Sequence, residues 1–499
     1  MLGTFFSSKP DHPLADPKEA KRVFDSLPGR EPNGAIDEAT ALLESLAGVE
    51  GFKPEQRLAL ILQLDEAAIV ASRRLGREYV SARLTRPQEQ RLWLSNRDYW
   101  ATLIAALEDS LRRFDANEKG AEAMKSALPL LYVRLLHAAR QRLKWEQFRY
   151  GPVDNVLWQM MGRIYLAAAA TRQADRELEL YPGGGSATTV EGQYLKALVF
   201  HASSMDNLLP LEIELAQHLI SHFLPRFVFT AEVRPDNVYW VDAARPMPPA
   251  RLARAPELSP TLRFFNSSPA VEAIEQLRLR IGRDGCVPAD VNLGGQYPPE
   301  RVLHVLDHLA MCWAPTPPMR KDARHRVKSR LTVVNGVSEI HYQLQGHNEF
   351  GESESWVVDD VSIGGMGAKV PLGTQGASDW IRIGALVGLL PEGGSNWLAG
   401  IVRRFSRDSQ SVGSVGIETL SKSPRAIVAD AGGLQTEGVL LDAPQQGESV
   451  RVVLPAAAWE DGVSLLFSLD GARVRLFPET ELEASADMVI GRYFVQTVD

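Results

Sequence analysis

The 499-residue sequence predicts a multidomain α + β protein: a mostly α-helical N-terminal domain, an antiparallel β-barrel, and a further β-rich unit at the C-terminus. Three observations carry this. A helical hydrophobic period dominates from Asp16 to His222, Ala314-Pro315-Thr316-Pro317-Pro318 interrupts the chain, and short alternating strands with turn residues follow to the end. At roughly 150 residues per domain, the length is that of about three domains.

The first helix follows from its cap. Asp16 stands before Pro17, with Glu19 in the third helical position, and Ala20, Val23, Phe24 and Leu27 then share one face. Trp93, Trp100, Leu103, Leu107, Leu111 and Phe114 form a longer apolar stripe. Further helices are expected at 36–46, 54–74, 121–148, 155–172 and 209–222. Trp158, Met161, Gly162 and Tyr165 resemble the start of a tetratricopeptide repeat, with Ala174 at its small-residue position, but no second copy follows one period later, so a non-repeating helical bundle is expected.

Around Arg226 the period changes. Phe227, Phe229 and Ala231 alternate, Arg234-Pro235-Asp236-Asn237 makes a turn, and Val238, Trp240 and Asp242 alternate again, which predicts a β-hairpin over 226–242. Ser268-Pro269 and Pro298-Pro299 each start a helix, the second ending near Trp313. The helical domain is therefore assigned to 1–313, and the stiff proline-rich 314–318 to a linker.

Beyond the linker, strands are expected at 326–334, 338–344, 355–360, 368–371, 381–390, 397–405 and 414–420, a spacing that suggests a barrel over 319–423. From Pro424 to Asp499, 5 arginines oppose 12 acidic residues, a net of −7, and Leu469-Asp470-Gly471-Ala472 is a hairpin turn. This stretch is an acidic β-rich C-terminal unit.

Composition restricts function. Hydrophobic residues at 45% and charged residues at 23% exclude wholesale disorder and collagen-like chains. The sequence has no apolar run of membrane-spanning length, and Met1 to Pro10 lacks the basic and apolar regions of a signal peptide. Two cysteines, Cys286 and Cys312, cannot make a disulfide framework, so a cytoplasmic protein is expected. A net charge of −8, from 54 basic and 62 acidic residues, argues against a nucleic-acid polymer as partner.

Against that average, Met319 to Arg330 carries Arg320, Lys321, Arg324, Arg326, Lys328 and Arg330 with one acid, Asp322, a local net of +5. A solvated loop would read the same way. Some forty residues on, Trp356-Val357-Val358 runs into Asp359-Asp360-Val361-Ser362-Ile363-Gly364-Gly365. Together these read R-x3-R … D-x-S-x2-G, and Asp360, Ser362 and Gly365 taken alone could be no more than a turn.

The two motifs, in this order and at this spacing, resemble the PilZ family of bacterial cyclic di-GMP receptors over Met319 to Ser423. The resemblance implies a six-stranded antiparallel barrel that binds the dinucleotide through Arg320, Arg324, Asp360, Ser362 and Gly365, with Arg326, Lys321 and Gly364 as possible additions. It also implies roles in motility, type IV pili, attachment or biofilm. Met319 occupies a position that in the family influences whether one ligand or a stacked pair binds. The chemistry is consistent, since arginine forks fit phosphates and the guanine O6/N7 edge, and a carboxylate accepts from the guanine N1 and N2 donors. No catalytic residue, cofactor or metal is expected. The expected partners are cyclic di-GMP and a protein bound by the helical domain. A nucleotide-independent scaffold with a structural barrel is the alternative.

Other clusters are weaker. His304, His308 and Cys312 share a helix face, but Val305 stands where H-E-x-x-H chemistry needs glutamate, so packing is expected. Gly183-Gly184-Gly185-Ser186 lacks the lysine of a P-loop and reads as a helix-to-helix loop. No GGDEF or EAL signature is present.

Overall fold

The computed structural model describes residues 10–184, 187–317, 323–347, 353–373, 380–409, 411–485 and 487–498. Arg320, Lys321 and Met319 lie outside them. The chain divides into two compact units, Met1–Arg149 with Val153–Met205 and Leu209–Pro318, and Met319–Asp499 with the short pieces Tyr150–Pro152 and Asp206–Leu208. No helix among the described residues is long and apolar enough to cross a membrane.

The first unit is helical from Pro17–Ser26 to Pro299–Trp313. Asp16 accepts from the Lys18 and Glu19 amides and Pro17 takes the first helical position, so the sequence cap is the structural one. Helix Arg86–Asp115 buries Trp100, Leu103, Leu107 and Leu111. The expected helix over 121–148 is two elements, a 3-10 turn Ala121–Ala127 and the α-helix Leu128–Gln147. Gly162, on helix Asn155–Ala170, lies so close to the Ala243 carbonyl that a Cβ would sit 1.9 Å from that oxygen. Its lack of a side chain thus fits it to an irregular loop rather than to a repeat neighbour.

Buried in this unit is an ion network. The Asp65 carboxylate accepts from Tyr99 Oη at 3.0 Å, from Tyr181 Oη at 3.2 Å and from Arg134, whose second Nη donates to Glu66 at 2.9 Å. Burial pushes the Asp65 carboxyl up, against the pull of Arg134.

The hairpin expected over 226–242 does not form. Val228–Thr230 and Tyr239–Asp242 are strands but not a hairpin, because Leu262–Asn266 lies between them and pairs with both. Alternation reveals a strand, not its neighbour. Gly183 and Gly184 lie, as expected, in the connection between helices Asn155–Ala170 and Val190–Ala202, which also carries the short paired strands Leu178–Glu179 and Ala187–Thr188; Gly185 and Ser186 lie outside the described residues.

The second unit holds two closed six-stranded antiparallel barrels. The first is β1 His325–Asn335, β2 Glu354–Ser362, β3 Gly365–Pro371, β4 Leu386–Pro391, β5 Leu398–Arg407 and β6 Val412–Ser421. The second is β7 Arg425–Ala431, β8 Leu434–Leu440, β9 Ser449–Pro455, β10 Leu465–Leu469, β11 Ala472–Ala484 and β12 Met488–Val498. Round the first the order is β1-β2-β3-β6-β5-β4, and round the second β7-β8-β9-β12-β11-β10, so the C-terminal barrel repeats the topology of the first strand for strand. Asp470 and Gly471, both with positive φ, form the tight β10–β11 turn.

Residues 338–344, expected as a strand, are helical: Val337–Leu344 is an α-helix. Val337, Ile340 and Leu344 fall on one helical face and join Leu386 and Leu420 of the first barrel and Val439, Val453 and Met488 of the second in one apolar cluster. The neighbouring wall, absent from any local window, selects the helical period.

Candidate ligand-binding site

A cleft of about 560 Å³ opens on the outer wall of the first barrel, across β2, β3, β6 and β5. Its floor is glycine. Gly365 and Gly367 on β3 lie two residues apart and so share a face, and Gly416 of β6 pairs with Gly367. A Cβ at Gly365 would meet the Ile417 carbonyl oxygen at 2.2 Å, and one at Gly367 would meet the Asp360 carboxylate at 3.1 Å. Any larger residue would fill the floor.

Each flank is bent by a bulge. On β2 the register slips between Val358 and Asp360, which leaves Asp359 unpaired and sets Asp360 opposite Gly367. On β5 it slips between Val402 and Arg404, and the extra residue, Arg403, lines the cleft together with Arg404 although the two are consecutive. Bulges re-aim side chains in this way beside functional sites.

The structure brings Arg324, Asp360, Ser362, Gly364 and Gly365 together at this cleft. Arg324 Nη1 donates to both Asp360 oxygens, at 2.9 and 3.2 Å. Ser362 Oγ donates to the Gly365 carbonyl at 3.2 Å, and so braces the β2–β3 turn while its lone pairs remain free to accept. Gly364 supplies its carbonyl to the Thr419 amide at 3.0 Å. Arg326 is the register partner of Asp360 on β1 but is not part of the cleft lining. Arg320 and Lys321 lie outside the described residues.

Sequence reasoning missed four charged groups. Lys369 of β3 donates to Ser414 Oγ at 2.6 Å and pairs with Asp408, whose carboxyl burial would raise but which Lys369 and Ser414 hold below its ordinary value. Glu418 of β6 pairs in register with Gly365. Arg403 Nε donates to Glu418 at 2.7 Å, and its Nη1 and Nη2 donate to the two Glu483 oxygens of the second barrel at 2.6 and 2.8 Å. Burial opposes the Arg403 charge, but Glu483 and Glu418 outweigh it and raise its pKa. Arg404 completes the set. The available signal was Val402-Arg403-Arg404-Phe405, in which two consecutive polar residues between buried ones break the strand period.

The second barrel treats its matching loop differently. Asp442 precedes Gly447 by five residues, as Asp360 precedes Gly365, but Asp442 is fully engaged by Arg451, which donates from its backbone amide, Nε and Nη2 at 2.9, 2.9 and 2.7 Å.

Of the helix-face histidines, His304 is exposed near Glu212, whereas His308 is buried and its Nε2 bonds the Ser203 carbonyl at 2.6 Å, to which Cys312 Sγ also donates at 3.4 Å. Among the described residues there is no group of three or more potential metal ligands.

In comparison with known proteins, no curated protein matches the chain at a significant level. Residues 18–235, within the helical part, match the family model described as the N-terminal domain of the cyclic-di-GMP receptor FimW.

Proposed function

We propose that the protein is a bacterial cyclic di-GMP receptor whose first barrel binds the dinucleotide in the glycine-floored cleft and whose helical domain relays occupancy to a protein partner. The observation that carries this reading is the agreement of two non-overlapping parts of the chain. The match to a receptor's N-terminal domain ends at residue 235, and the PilZ-like motifs begin at residue 320.

In this reading Arg324 and Arg320 supply forks for phosphate and guanine, Asp360 accepts from guanine N–H groups, and Gly365 and Gly367 let the ligand approach the main chain. Arg326, Lys321 and Gly364 assist, and no catalytic step or cofactor is involved. The protein acts in the cytoplasm, with motility, type IV pili, attachment or biofilm as the processes served.

Titration calorimetry of the full chain with cyclic di-GMP tests the reading. A dissociation constant of micromolar or tighter, about −8 kcal/mol or better, is expected. Absence of heat at high micromolar protein overturns it and leaves a scaffold with a structural barrel.

A further inference from the structure

The cleft contains a second arginine–carboxylate pair. Arg324 with Asp360 stands on one side of the glycine floor, and Arg403 with Glu418 stands on the other. Asp360 is on β2 and Glu418 on β6, with β3 between them, so two interstrand spacings of about 4.8 Å place the carboxylates' strands roughly 10 Å apart. Asp360 adjoins Gly367 and Glu418 adjoins Gly365, two residues apart on one face.

Resting on the receptor reading above, we propose that Arg403 and Glu418 form a second guanine-reading pair, and that Glu483 of the second barrel is the positioning residue that holds Arg403 for it. Cyclic di-GMP carries two identical bases, and a cleft with one reading pair at each edge offers each base the same chemistry. Guanine presents acceptors O6 and N7 to an arginine fork and donors N1–H and N2–H to a carboxylate. Adenine has an acceptor at N1, which a carboxylate repels.

The donor count supports the assignment. Arg403 has five N–H groups, of which one goes to Glu418 and two to Glu483, so two remain without a partner among the described residues. Glu418 receives the Arg403 bond on Oε2, and its side chain is 48% exposed in the cleft wall. Because Glu483 lies on β11 at a register shift, the C-terminal barrel contributes to the site through this residue. A planar guanidinium held by two carboxylates is fixed in orientation, which a lone exposed arginine is not.

Calorimetry with cyclic di-GMP and with 3′,3′-cyclic GMP-AMP provides the test. The mixed dinucleotide can place its adenine at the less selective pair, so the ratio of the two affinities reads that pair. Wild type is expected to prefer cyclic di-GMP by tenfold or more, and Glu418→Gln, an isosteric change checked for folding by circular dichroism, to reduce that preference to about threefold or less. An unchanged ratio in Glu418→Gln overturns the second pair while leaving the receptor reading intact. Failure of the wild type to bind cyclic di-GMP overturns the receptor reading instead. For Glu483, the expected result is that Glu483→Gln weakens cyclic di-GMP about tenfold in the wild type and causes no further loss in Arg403→Ala. Additive losses, or no loss, overturn its positioning role.

Discussion

Arg324 Nη1 is shared between the two oxygens of Asp360, at 2.9 and 3.2 Å, which ties the segment before β1 to the bulged end of β2. Both side chains remain partly exposed, at 40% and 28%. At such exposure the pair contributes little to stability, so replacing either member tests the proposed ligand binding with little cost to the fold.

Arg324→Ala and Asp360→Ala should each weaken cyclic di-GMP about thirtyfold or more, since loss of one member of a charge pair buried under ligand costs roughly 2–5 kcal/mol. Calorimetry measures this, and melting temperatures should move by only a degree or two. An unchanged affinity in Arg324→Ala would remove the first motif from the mechanism.

Asp442→Ala gives the matching control. Because Arg451 already occupies that carboxylate, cyclic di-GMP affinity and a stoichiometry of one occupied barrel per chain should persist. Two occupied barrels in the wild type, falling to one in Asp442→Ala, would show that the second barrel binds as well.

Gly365→Ala should destabilise the second unit by more than about 1 kcal/mol with or without ligand, because the new Cβ would press on the Ile417 carbonyl and the β3–β6 ladder must part. Denaturant unfolding followed by Trp fluorescence tests this. A variant of wild-type stability would mean that the floor yields.

Arg134→Ala in the helical unit leaves Asp65 buried without its counter-ion, at an expected cost of about 3–5 kcal/mol. Urea unfolding should show this, and Arg134 with Asp65 replaced together by apolar residues should recover much of the loss. Equal losses in the single and double variants would contradict it.

Acid should loosen the helical unit. Burial lowers the His201 imidazole to about 4 and, with Arg140 adding to burial, holds His137 well below its ordinary value. Both groups bind a proton more readily unfolded than folded. Their contribution is complete above about pH 6.5 and is lost as pH falls from there towards 4. Unfolding free energies at pH 7.5, 6 and 5 should decline for the wild type and less steeply for His201→Gln. Parallel slopes would rule His201 out.

Much of this was legible in the chain. Asp16 with Pro17 announced a helix, and Asp470-Gly471 a turn, because cap and turn chemistry is local. Motif spacing singled out Arg324 and Asp360, and the fold brings the two together in one cleft. What was hidden depended on distant neighbours. Ile340 and Leu344 fit either period until the second barrel supplies a wall. Leu262–Asn266 enters between two strands that look like one hairpin, and a single inserted residue at Arg403 turns a strand's outer face into a cleft edge.

The apolar cluster joining Ile340, Leu386 and Leu420 to Val439, Val453 and Met488 turns what would be the outside of each barrel into a shared interior. The first barrel is therefore not a transplantable module. A fragment stopped at Ser423 would carry every motif residue but bare this oily flank and lose the Glu483 anchor, so cutting or fusing the protein should respect the doublet as its smallest portable β unit.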